Sequence, residues 1–263
     1  MPAKPTNLAE LVLDATPLAL FVDVDGTLIE IASRPQDVEV ATELPSLLTR
    51  LHDALDGALV LVSGRSLADL DRLFAPLTLP AGGQHGLEVR DAVGTVSRHA
   101  EEVTELAAME DALARFLERT PGTLLEHKGM TLALHYRNAP DCESEARRVM
   151  AGLMADHGDH FHVQEGKMVM EIKPRGAHKG TVVDTFMDMP AFADRRPAFI
   201  GDDVTDEDGF AAVNRRRGIS IQVGVRSPTV ARWRARSVAD LRVWLADLPA
   251  RLGKPAVGRR PAS

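Results

Sequence analysis

Apolar residues gather along the chain in short unbroken runs, and each run stops abruptly at polar residues. Leu18 to Val22 is the first, too short for a full helix and uninterrupted enough for a strand buried on both faces. "ALVLVSGR" (58–65), "AFIGDD" (198–203) and "GISIQVG" (218–224) repeat the pattern. Helical spacing follows or separates these runs. Leu67, Leu70, Leu73, Phe74 and Leu77 fall on one stripe, as do Val182, Val183, Phe186 and Met187 within 178–189. Near the end, Ser237 is placed to cap a helix whose inner face is Val238, Leu241, Trp244, Leu245 and Leu248. Strand followed by helix, repeated, predicts an α/β domain built on a doubly wound parallel sheet.

The middle of the chain changes rhythm. Residues 108–119 read as an amphipathic helix, and 122–137 alternate like a hairpin. A second helix over about 141–156 precedes two short strands, "HFHVQ" and "KMVMEIK". Helix, two strands, helix, two strands predicts an antiparallel α+β cap domain over 107–173, inserted between core segments 1–106 and 174–263.

Composition narrows the classes. The 263 residues are 44% hydrophobic and 26% charged, as in globular proteins. A net charge of -7 argues against general nucleic-acid binding. The single cysteine, Cys142, excludes an internal disulfide and a cysteine metal cluster. No apolar stretch reaches the roughly 20 residues of a membrane helix, and no signal pattern opens the chain, so the expectation is a cytoplasmic protein.

Chemistry sits where the apolar runs end. In open α/β sheets ligands collect at the carboxyl ends of the strands. There the chain places Asp23 and Asp25, then Ser63, Gly64 and Arg65, then Asp202 and Asp203 with Asp206 beyond, and Lys179 opens the helix before the third strand. The helix start behind Ser63 reads as an anion site. Carboxylates this close repel one another, and a hard divalent cation such as Mg²⁺ with oxygen ligands offsets that repulsion. A hydroxyl, a helix start and a lysine would hold the remaining phosphate oxygens, so phosphoryl transfer with an aspartate nucleophile is the predicted chemistry.

"DVDGT", "SGR", the lysine of "HKG" and "GDDVTDED" resemble, in order, the four signature motifs of the haloacid dehalogenase-like (HAD) phosphatases, which implies a Rossmann-like core. More closely, "GQHGLEVR", "LLEHKGMTLALHYR", "EIKPRGAHKG" and "GDDVTDEDGF" resemble the trehalose-6-phosphate phosphatases over about residues 12–248. The resemblance implies Asp23 as nucleophile and metal ligand, and Asp25 as general acid–base with its carbonyl on the metal. It further implies Thr27, Ser63, Gly64, Arg65 and Lys179 around the phosphoryl group, and Asp202 and Asp203 as metal carboxylates. Glu126, Lys128 and Glu171 of the cap would contact the sugar. The implied partner is a small sugar phosphate, trehalose 6-phosphate; sucrose phosphate or a glucosylglycerate phosphate is the alternative substrate, which only the cap residues oppose.

Other patterns are weaker. His157, His160 and His162 have zinc-like spacing but no evident carboxylate partner. "DVTDEDG" lacks the glutamate of a calcium loop, and "SGRS" is not a Walker loop. A phospho-receiver shares the strand-end aspartate, acidic pair and lysine, but has no use for Asp25 or for a cap of this size.

Overall fold

The computed structural model describes residues 11, 16–31, 38, 40–98, 100–127 and 131–252. Lys128 of the sugar-contact expectation lies outside them. The chain divides into two compact units, residues 1–97 with 178–263, and residues 98–177.

In the first unit β1 (Leu18–Asp23), α1 (Leu44–Ala54), β2 (Leu59–Val62), α2 (Leu67–Phe74), β3 (Ala81–Gly83), β4 (Glu88–Arg90) and β5 (Val96–Arg98) follow in turn. The second unit holds α3 (Ala100–Leu117), β6 (Leu124–His127), β7 (Leu132–His135), α4 (Glu143–His157), β8 (Phe161–Gly166) and β9 (Val169–Pro174). The chain then returns to the first unit with α5 (Lys179–Met187), β10 (Arg196–Gly201), α6 (Glu207–Arg215), β11 (Ile219–Val223), β12 (Trp233–Ala235) and α7 (Val238–Leu252).

The first unit is a doubly wound α/β domain. Its eight-stranded sheet runs β12-β11-β10-β1-β2-β3-β4-β5, and β12 through β3 pair in parallel. The first apolar run thus lies between β10 and β2, and every residue of it is buried. Helix α1 packs with α7, and α5 with α6. Ser237 caps α7 as expected, its hydroxyl accepting from the Asp240 amide at 3.1 Å. Strands β3, β4, β5 and β12, three residues each, carry no apolar run and escape a periodicity reading.

The second unit is a four-stranded antiparallel sheet, β6-β7-β9-β8, with α3 and α4. One face packs Leu132, Leu134, Met170, Ile172 and Phe161 into a core with Leu106, Met109, Leu113 and Phe116 of α3 and Met150 of α4. Helix α3 begins at Ala100 rather than 108, so the helix is about two turns longer at its start than its strongest periodicity indicates. In register across the sheet, Glu126 pairs with Ala133, Ala133 with Glu171, and Glu171 with Gln164. Partners directly opposite share a face, so this row lies on the side away from the core.

Candidate active site

Asp23 ends β1 and is buried. Lys179 is the first residue of α5, held there by a reciprocal cap. The His178 ring accepts from the Thr181 amide at 3.2 Å, and the Thr181 hydroxyl accepts from the His178 amide at 3.2 Å. From that position Nζ donates to Asp23 Oδ1 at 2.6 Å and to Asp206 Oδ1 at 2.7 Å. Burial alone would push the lysine down, but the two carboxylates outweigh it and hold the ammonium above its ordinary value. Burial likewise pushes Asp23 well above the usual carboxylate range, with Asp206 and Asp202 adding repulsion that Lys179 only partly offsets.

Asp206 follows β10 and is completely buried. Its Oδ2 accepts from the amides of Asp202 at 2.9 Å and Asp203 at 2.8 Å. With Lys179 on its other oxygen, both of its carboxylate oxygens are engaged, and it acts as an anchor for the turn after β10. Asp202, half-buried, accepts at Oδ1 from the Thr27 hydroxyl at 3.1 Å. Burial and the Asp206 charge raise its pKa. Gly26 has a left-handed φ of +81°, and a Cβ there would stand 2.3 Å from the Asp202 carboxylate. Only glycine lets the turn after β1 close onto that aspartate.

Oxygens of Asp23, Asp202 and Asp206 lie within 4.8 Å of one another, the sole such acidic or histidine cluster among the described residues. Three carboxylates against one ammonium leave two negative charges, 3 − 1 = 2, uncompensated if all ionise. The donors are all oxygen. A hard divalent cation fits both the charge and the ligand type. Since Asp206 already receives three donors, Asp23 and Asp202 are the carboxylates left to hold it.

Asp25 and Arg65 form a separate pair. Arg65 Nε donates to Asp25 Oδ2 at 2.7 Å, and Nη2 to Oδ1 at 2.6 Å, a bidentate fork. The Ser63 hydroxyl is buried and accepts from the Arg65 amide at 3.1 Å. Gly64 is pressed against His85, whose ring would stand 2.8 Å from any Cβ. His85 and Gln84 both adopt left-handed backbone, uncommon for such residues, and their amides bond the carbonyls of Ser63 and Arg65 at 2.9 and 2.8 Å. The turn "GQHG" therefore clamps the loop that carries the hydroxyl.

Several expected residues stand differently. The anion site at the start of α2 is filled from within: the Leu67 amide donates to Glu88 Oε2 at 2.9 Å, and the Asp69 amide to Ser66 Oγ at 3.1 Å. Thr27 bonds Asp202, and Arg65 bonds Asp25, where both were expected at phosphate. Asp203 is exposed and outside the carboxylate cluster, whereas Asp206, given no firm role from sequence, is central to it. His157 and His160 do meet a carboxylate, Glu105, at 3.2 and 2.9 Å, yet no metal-sized group results.

On the outer face of the antiparallel unit, Glu126 contacts His135 at 2.9 Å. Glu171 accepts from Thr131 at 2.9 Å and pairs with Lys173 at 3.1 Å. The two glutamates sit two strands apart, about 10 Å at ordinary strand spacing. Thr131, His135 and Gln164 share their face, and the alternation of each strand was the signal that could have named them.

A family model described as trehalose-phosphatase matches residues 21–242. The chain belongs to the trehalose-phosphatase family. A probable trehalose-phosphate phosphatase of Sinorhizobium fredii is 42% identical, across 84% of this chain and 83% of that protein. The trehalose-6-phosphate phosphatase of Escherichia coli K12 is 42% identical, across 86% and 85%. A solved Aspergillus fumigatus trehalose-6-phosphate phosphatase superposes with a TM-score of 0.72 at 26% identity, covering 94% of this chain and 99% of that one. A Bacteroides thetaiotaomicron phosphatase of the haloalkanoate (HAD) superfamily shares the fold at 18% identity, TM-score 0.56, over 91% and 96%. The trehalose-phosphatase family consists of phosphoric monoester hydrolases. No helix among the described residues is long and apolar enough to cross a membrane.

Proposed function

We propose that this protein hydrolyses trehalose 6-phosphate to trehalose and inorganic phosphate, with Mg²⁺ as cofactor and an aspartyl-phosphate on Asp23 as intermediate. The observation that carries this reading is the buried Asp23, held by Lys179 beside Asp202 at the end of the central strand. Asp23 and Asp202 would hold the cation, which when bound offsets their charge and that of the phosphoryl oxygens so that an anion can approach an anion. The Asp23 carboxylate attacks phosphorus, and the bond from phosphorus to the sugar oxygen breaks. Asp25 delivers a proton to that oxygen, then takes one from the water that cleaves the aspartyl-phosphate. Arg65 keeps Asp25 oriented through its bidentate fork between these transfers. Ser63 and Lys179 would donate to the phosphoryl oxygens. Glu126 and Glu171 would accept from sugar hydroxyls, and Lys128 would donate to them.

The test is phosphate release from trehalose 6-phosphate, compared with sucrose phosphate and glucosylglycerate phosphate. Activity is expected to vanish in EDTA, return with Mg²⁺, return poorly with Zn²⁺, and be absent in Asp23→Asn. Turnover by Asp23→Asn would place the nucleophile elsewhere, and full activity in metal-free buffer would remove the cation. A preference for another sugar phosphate would overturn the substrate.

A further inference from the structure

Beyond the residues of the reaction itself, the loop after β11 reaches back to the cation site. Buried Gln222 of β11 donates to the Arg226 carbonyl at 3.1 Å, and Arg234 of β12 donates to Gln222 Oε1 at 3.2 Å. With its backbone so fixed, Arg226 points its guanidinium at the turn after β10. Nη2 donates to the Asp203 carbonyl at 3.1 Å, and Nε approaches the Asp202 carbonyl at 3.4 Å. Nη2 also pairs with Glu207 at the start of α6, and Nη1 donates to the Pro228 carbonyl at 3.2 Å. Glu207 Oε2 in turn accepts from the Val230 amide at 2.8 Å, tying the same loop a second time.

The peptide group between Asp202 and Asp203 is thus held from both sides: Asp206 takes its amide and Arg226 its carbonyl, while Asp206 also takes the Asp202 amide before it and Arg226 the Asp203 carbonyl after it. We propose that Arg226 is a positioning residue for the divalent cation: it fixes the backbone that aims the Asp202 carboxylate. The inference rests on the reading of Asp23 and Asp202 as cation ligands. A planar fork spanning two carbonyls is what a guanidinium supplies and an ammonium does not. Glu207 neutralises the arginine, so its contribution is geometric.

The sign of the effect separates geometry from charge. Removing a positive charge near a cation site tightens cation binding by Coulomb's law. Removing a support of the ligand loosens it, by about 10-fold where outer partners of a metal ligand are lost. Mg²⁺ binding by Arg226→Gln is measured by titration calorimetry on the full chain stripped with EDTA, alongside its thermal midpoint in EDTA. The expected result is a Kd about 10-fold higher than that of the unsubstituted protein. A Kd unchanged or lower overturns the inference, whatever the midpoint does. If Arg226→Gln does not fold, Arg226→Lys decides: it keeps the charge but not the fork, and a Kd at least about 3-fold higher is expected. An unchanged Kd for that variant overturns the inference as well. An unsubstituted protein that binds no Mg²⁺ would overturn the cation reading itself, a result distinct from equal binding by all three proteins.

Discussion

Replacing Asp206 with asparagine changes one atom in a completely buried side chain that three donors surround: Lys179 Nζ at 2.7 Å and the amides of Asp202 and Asp203 at 2.9 and 2.8 Å. Asparagine has a single acceptor oxygen. Facing Lys179, it turns its NH₂ toward two amide hydrogens; facing the amides, it turns the NH₂ toward an ammonium. Either way a buried donor opposes a donor. Breaking a buried ion pair from one side costs about 3–5 kcal/mol. Two terms work the other way. Lys179 keeps Asp23, and the repulsion that Asp206 exerts on Asp23 and Asp202 disappears. A net loss of about 2–4 kcal/mol is expected, below the one-sided figure. At about 2–4 °C per kcal/mol for a chain of this size, the midpoint should fall by about 5–15 °C. Thermal and urea unfolding followed by circular dichroism in EDTA measure it without any contribution from a bound cation. A loss under about 1 kcal/mol would refute the assignment of Asp206 as the anchor of this turn.

Two further outcomes follow from other parts of the molecule. Glu126→Ala or Glu171→Ala should lower kcat/KM for trehalose 6-phosphate by about 10²-fold or more while an aryl phosphate, which has no sugar hydroxyls to engage, changes little; equal losses on both substrates would assign these residues to stability or to the chemistry. His162 is pushed below the ordinary histidine value of 6.5 by burial, with Arg175 and Lys173 adding to it. The unfolded chain then binds a proton that the folded chain refuses, so stability should fall as pH drops from about 7 toward 5. An NMR titration of the His162 ring reads this directly, and an unperturbed midpoint would contradict it.

Much of the fold was legible because burial on both faces leaves a plain mark in sequence. Leu18 to Val22 and residues 198–201 are central strands, and their apolar runs announce them. Asp23, Lys179 and Asp202 were legible for the same reason, standing at or near the ends of those elements. What stayed hidden depends on which way side chains turn. Nothing in "GDDVTDED" says that Asp206 faces inward and Asp203 outward. Arg65 and Thr27 were expected at phosphate, since a sequence shows a donor but not the carboxylate it already serves. Glu88 was invisible as the occupant of the α2 start, 21 residues away in sequence. Arg226 was missed outright, because its acceptors are backbone carbonyls, which every residue has.

The pairing of β1 with β10 sets an order of events for a chain emerging from the ribosome. Asp23 is made early, but its strand lies in register with residues 196–200, and its lysine partner is 156 positions downstream. The antiparallel unit is contiguous and complete once residue 177 has been added. Of the two neighbours of β1, only β2 is present when that unit is finished. A nascent chain must therefore carry an open edge on its future central strand while the whole insertion is synthesised, and contacts across so long a separation are slow to form. The strand that bears the nucleophile is the one left waiting.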